Sequence, residues 1–216
     1  EKRKGAILLC CHAAESDEVV VQAHEDVCAD DIPLQEIETK VSKLVMLSDE
    51  WINIEVKTPR TKSMRFLAGQ HVRLKIKGVA ERNKSIASCP CNGRQLQFHV
   101  RNTGGEFSDY IFNQLKKNAV VSLEGPVGEF VMNDETTKPL IFVAFDAGFA
   151  PIKSLIEHSL SLGLEQPIKL FWISTVKQPY LYNICRSWDD ALDNFSFEVM
   201  CLEDGWRPET VADGVV

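Results

Sequence analysis

The chain has 216 residues, 44% hydrophobic and 25% charged, a mixture that supports one large or two small cores. Its net charge of −7 and pI near 5.3 exclude the basic surplus that a nucleic-acid binder needs. No apolar run approaches the roughly 18 to 20 residues of a membrane helix, and Ala6 to Cys11 is too short for a secretory leader, so no membrane span and a cytoplasmic location are expected.

In chain order, Ala6 to Leu9 and Val19 to Ala23 read as two short strands around an acidic turn, too few to bury a face alone. The stretch "HEDVCADDIP" has no clear period and reads as a linker, which puts a boundary near residue 30. A second unit, 31–135, shows period-two alternation. Ile52, Ile54 and Val56 alternate with polar residues, as do Val72, Leu74 and Ile76, and Leu96, Phe98 and Val100. Further strands are expected at Val41 to Leu47 and Val120 to Leu123. With turn signals at Ala68-Gly69, Lys77-Gly78, Asn92-Gly93 and Gly125-Pro126, they predict an antiparallel barrel of about six strands. Ser108 is the expected N-cap of a helix running to Lys117.

The third unit, 136–216, changes period. Leu140 to Ala144, Ile168 to Ile173 and Phe195 to Leu202 read as strands, separated by helices at Pro151 to Leu162 and around Leu181 to Leu192. This βαβαβ series is half of a doubly wound sheet and is short for a nucleotide-binding domain.

Seven cysteines, Cys10, Cys11, Cys28, Cys89, Cys91, Cys185 and Cys201, are odd in number and scattered, which predicts reduced thiols and no self-contained metal site. Gly104-Gly105-Glu106-Phe107-Ser108 offers flexible backbone and a helix start, a combination that receives phosphate where helix amides are free. Read alone, such a stretch is more often a bland loop. Trp172, Trp188 and Trp206 read as packing residues. His71 and His99 fall on the polar phase of strands, as surface or ring-adjacent residues, and His158 lacks a zinc-motif partner. Lys177 is a weak candidate for a 2′-phosphate contact.

In the segments "ERNKSIAS", "NTGGEFSDYIF", "LEGPVGEF" and "GFAPIKSLIEH", in that order, the sequence resembles the ferredoxin-NADP reductase superfamily. The likeness is strongest to bacterial reductases that carry a plant-type [2Fe-2S] ferredoxin domain before the flavin barrel. It implies a six-stranded flavin-binding barrel, then a partial nucleotide-binding α/β domain, with 1–30 as the remnant of a ferredoxin domain. Cys10 would then be a cluster ligand only if the chain is a fragment, since a plant-type cluster needs four cysteines.

The resemblance implies an FAD site, FMN being the alternative, at Arg82, Asn83, Lys84, Ser85, His99, Val100, Gly104, Gly105 and Ser108. Arg82 would neutralise the diphosphate, and Ser85 would be the catalytic contact to the ring edge. Lys84 stands where the family has a stacking tyrosine. NAD(P)H would enter beside Asp146, Ala147, Gly148 and Pro151, where Asp146-Ala147 replaces the family's Gly-Thr and adds a carboxylate that would repel a pyrophosphate. The implied function is electron transfer from NAD(P)H through FAD to a [2Fe-2S] centre or a protein partner, a ferredoxin or an oxygenase component. The alternative is an accessory or scaffold subunit of the same fold with weakened cofactor binding.

Overall fold

The computed structural model describes residues 32–202. Cys10, the strand candidates within 1–30, the ferredoxin-like remnant and Trp206 lie outside the described residues.

Six strands form the first sheet: β1 (Gln35–Met46), β2 (Trp51–Lys57), β3 (His71–Ile76), β4 (Val79–Ser85), β5 (Gln95–Arg101) and β6 (Val120–Val127). Their order is β4-β3-β6-β1-β2-β5, with every pairing antiparallel. Beyond β4, the Ala87 amide donates to Gln97 O on β5 at 2.8 Å, so the two outer strands meet and the sheet curls into a barrel. Alternation supplies its core. Val41, Ile54, Val72, Leu74, Phe98 and Leu123 all point inward with no more than 2% exposure. A helix, α1 (Glu106–Asn113), packs against β4 and β5 and adds Phe107 and Ile111 to that core.

The helix bounds differ from expectation. Gly105, extended at φ −84°, is the N-cap, and Ser108 lies inside the first turn. The reason is local: the Ser108 hydroxyl donates back to Gly105 O at 2.9 Å and accepts from the Thr103 amide at 3.2 Å, so it braces the approach to the helix. At the far end Asn118 turns left-handed at φ 70°, and helix geometry stops short of Lys117.

The second sheet is parallel, in the order β7-β8-β9: β7 (Leu140–Phe145), β8 (Ile168–Ser174) and β9 (Phe195–Cys201). The crossover helices are α2 (Phe149–Ser161) and α3 (Tyr182–Ala191). Ile152, Leu155 and Ile156 of α2 pack with Phe142, Ala144, Leu170 and Trp172 of the strands. α2 begins two residues before Pro151, because Asp146–Gly148 wind into a 3-10 turn that runs directly into it.

Two side-chain expectations are corrected. His99, on the polar phase of β5, is 5% exposed, because Tyr180 of the second unit covers it. Cys89 and Cys91, expected as thiols, are paired as a disulfide, while Cys185 and Cys201 are free. Burial pushes the Cys185 thiol up to about 12, so it is inert at neutral pH.

Gly69, at φ +94°, faces the Phe130 carbonyl so closely that a Cβ would overlap its oxygen. Gly69→Ala therefore combines left-handed strain with a backbone clash and is expected to cost about 3 kcal/mol, a fall of about 10 °C in melting temperature by calorimetry. Gly78→Ala, at φ +80° with open space around it, is expected to cost about 1 kcal/mol.

Candidate functional site

The phosphate-binding candidates converge. Arg82 and Lys84 lie on β4 opposite Leu74 and Val72, and α1 packs beside that strand. The Lys84 ammonium sits 5.9 Å from the centre of the Phe107 ring at the start of α1. Burial holds that ammonium below the usual lysine range, and the neighbouring Arg82 charge pushes it the same way. Arg82 is exposed, and among the described residues its guanidinium donates only to Glu81 O, at 2.9 Å. No side chain caps α1, which leaves amides of its first turn open beside these two cations. Gly104, at φ +71°, and Gly105 have room in front of them where another residue would put a Cβ.

This donor set fits a diphosphate: two cations, free helix amides and an approachable backbone. It fits an isoalloxazine less well. The Phe107 ring is 6% exposed and engaged by Lys84, so it does not replace the missing tyrosine. Asn83 is exposed, on the face opposite Arg82, and Ser85 is half-buried at the strand end. Val100 belongs to the barrel core at 1% exposure, so only its backbone could face a ligand.

Arg101, at the end of β5, joins this region to the second. Its guanidinium pairs with Asp146 at 3.4 Å and with Glu50 at 3.0 Å. The Asp146 carboxylate is thus drawn toward the barrel and caps neither the 3-10 turn nor α2. Its expected repulsion of an anion is offset by a cation that spacing did not reveal. Asp146 is also left-handed at φ 42°, a conformation that glycine takes without cost and Asp tolerates. Ala147 and Gly148 complete the turn, and Pro151 lies in the first turn of α2.

Beside this turn is a cleft of about 360 Å3 lined by Glu50, Trp51, Arg101, Asp146, Ser174 and Tyr180, among others. It lies at the carboxyl ends of β7 and β8, where open α/β sheets bind ligands. Tyr180 stacks on Trp51 with centroids 4.1 Å apart, and its hydroxyl lies 3.1 Å from His99 Nδ1. Trp172, on the cleft wall, is fully buried with its Nε1 unpartnered.

Sequence reasoning missed the cluster that fixes the two units together. Lys153 of α2, 4% exposed, donates to Ala87 O at 2.9 Å, to Gln97 Oε1 at 3.2 Å and to Glu157 Oε1 at 2.5 Å. Ser154 donates to Ser88 O at 2.7 Å, and Glu157 accepts from the Cys89 amide at 3.2 Å. One helix face thus grips the backbone immediately after Ser85. The only signal was a charged pair at i, i+4 inside an otherwise apolar stripe.

Desolvation, with the Lys153 charge second, lowers the His99 imidazole to about 3. The unfolded chain therefore takes up a proton near 6.5 that the folded chain refuses until about 3. Stability is present above the unfolded value and is lost as pH falls through it. Between pH 7 and pH 5 the expected loss is about 2 kcal/mol. Urea unfolding of His99→Gln at the two pH values should show that increment removed.

Residues 38–132 match the family described as the oxidoreductase FAD-binding domain. The chain belongs to the ferredoxin-NADP reductase superfamily. Among its curated superfamily relatives, protein RfbI of Salmonella typhimurium is 34% identical over 160 residues, 73% of this chain and 47% of that protein. The CDP-6-deoxy-L-threo-D-glycero-4-hexulose-3-dehydrase reductase of Yersinia pestis is 30% identical over 187 residues, 86% of this chain and 56% of that one. The reductase component DmpP of phenol 2-monooxygenase from a Pseudomonas species is 34% identical over 204 residues, 91% and 56% of the respective chains. This superfamily member thus spans about half the length of the curated relatives it matches. Its fold matches the Amycolatopsis cytochrome P450 reductase GcoB with a TM-score of 0.71 at 23% identity, over 79% of this chain and 53% of that one. Ferredoxin-NADP+ reductase from Plasmodium falciparum gives 0.67 at 18%, over 77% and 70%.

Proposed function

We propose that this chain is the flavin- and nicotinamide-binding part of an electron-transfer oxidoreductase, taking electrons from NAD(P)H and passing them to a [2Fe-2S] centre or a protein partner. One observation carries the reading: the cationic strand β4, the uncapped start of α1 and the Arg101-bridged turn after β7 lie next to one another, although 64 residues separate Arg82 from Asp146.

FAD, when bound, supplies the conversion of a two-electron hydride into single-electron steps. Arg82 and the amides at Gly105 to Phe107 would hold its diphosphate, and Ser85 would set a hydroxyl at the polar edge of the ring. Arg101 pairs with Asp146 beside the turn that leads into α2, which offsets that carboxylate's repulsion of an anionic cofactor. Lys153 and Glu157 fix α2 against the segment that follows Ser85, so the two binding regions keep one spacing. DmpP is the reductase component of a monooxygenase, which supports the same place for this chain and a ferredoxin or oxygenase component as acceptor. No helix among the described residues is long and apolar enough to cross a membrane. A cytoplasmic location belongs to the same proposal.

The test is an absorption spectrum of the native protein followed by anaerobic mixing with NADH and with NADPH. Flavin bands that bleach with either nucleotide are expected. A folded, colourless protein that takes up no FAD would replace this reading with the scaffold one.

A further inference from the structure

We infer that a basic groove on the barrel is a docking surface for an acidic segment of a partner protein. The groove, about 730 Å3, lies between β1, the loop after β2 and the α1–β6 connection. Lys40, Lys57, Arg60 and Lys117 line it, with Glu38 its single carboxylate. All four cations are exposed.

What distinguishes these charges is their crowding in one groove. Lys40 and Lys57 stand directly opposite each other in the β1–β2 register, where like charges repel. Among the described residues none of the four has an ion-pair partner, and the groove's one carboxylate, Glu38, leaves most of their charge uncompensated there. An acidic chain of net charge −7 thus concentrates unneutralised positive charge in one concave place. Such a distribution orients an approaching acidic surface and raises its encounter rate.

The groove's chemistry selects the kind of anion. Its buried hydroxyls are already committed: Thr39 donates to Val121 O at 2.6 Å and Thr58 to Lys62 O at 2.7 Å. What remains are long, separately mobile cations around the half-exposed Val120. A compact phosphate site needs converging, oriented donors. An extended run of carboxylates needs only spaced charge and some apolar contact, which this groove supplies.

The experiment is fluorescence anisotropy of the full chain with a labelled peptide of about sixteen glutamates, and its readout needs no cofactor. Binding is expected to weaken by about tenfold or more as salt rises from about 0.02 M to about 0.5 M. Lys40→Glu/Lys57→Glu is expected to weaken it by about tenfold relative to Lys77→Glu/Lys138→Glu, which makes the same net-charge change at exposed lysines outside the groove. Lys117→Glu, on the opposite wall, should give a smaller loss in the same direction. Equal losses in the two double variants would overturn the proposal, because net charge would then explain binding. So would displacement of the peptide by micromolar inorganic pyrophosphate, or absence of binding at low salt.

Discussion

Arg82→Ala is expected to weaken FAD binding by about tenfold to a hundredfold, read by titrating apoprotein and following the quenching of flavin fluorescence. A charge-assisted hydrogen bond to an anion contributes about 1.5 to 3 kcal/mol, and Arg82 is exposed, its only bond among the described residues going to its neighbour's carbonyl, so it is free to turn toward a ligand. The loss should be larger at low salt than at high salt. Lys84→Tyr should act in the other direction. Lys84 carries an ammonium disfavoured by burial, and a tyrosine ring there would restore stacking worth about 0.5 to 1.5 kcal/mol, up to about tenfold in affinity. Unchanged affinity in both variants would mean that β4 does not face the flavin at all.

Lys153→Met should lower stability by about 3 kcal/mol, seen as a shifted urea midpoint with an unchanged slope. The variant leaves Ala87 O and Gln97 Oε1 without their donor and strands the half-buried Glu157 carboxylate. Removing the partner charge as well, in Lys153→Met/Glu157→Leu, should recover part of the loss, since a buried pair is weak in net and costly to break. The same variants bear on coupling between the two units. If α2 sets the spacing of the flavin and nicotinamide regions, flavin reduction by saturating NAD(P)H should slow in Lys153→Met while FAD affinity stays near that of the parent. Slowing and weakened FAD binding in equal measure would reduce Lys153 to a fold-stabilising residue.

Lys153 also illustrates why part of the site could not be read in advance. In the chain it is one charged residue in an amphipathic helix, indistinguishable from a solvated lysine. Its importance comes from Ala87, just past β4, and Gln97 of β5, which lie 66 and 56 residues away in the barrel unit. His99 was misjudged for the same reason, since strand periodicity assigns a face but not what covers that face. Tyr180, which covers it, sits in a loop without period. The Arg101–Asp146 pair reversed an electrostatic argument that was sound locally, because a carboxylate at a helix start repels an anion only while its charge is uncompensated.

What the sequence determined by itself was most of the elements and their type, β4 being the exception, since its mostly exposed residues carry no apolar alternation. Period two gave barrel strands, period 3.6 the helices, and glycine-containing pairs turns such as Lys77-Gly78, because these signals are set by neighbours within a few residues, whereas Gly125-Pro126, expected as a turn, lies within β6. Family resemblance at four ordered blocks named the superfamily for a similar reason, since backbone-binding motifs are contiguous. The tertiary structure alone decided which outer faces were buried and which charges were paired. It also decided which were left free, as at Lys40 and Lys57. Those outcomes depend on contacts between residues far apart in the chain, where burial and charge compensation arise only after the two sheets pack.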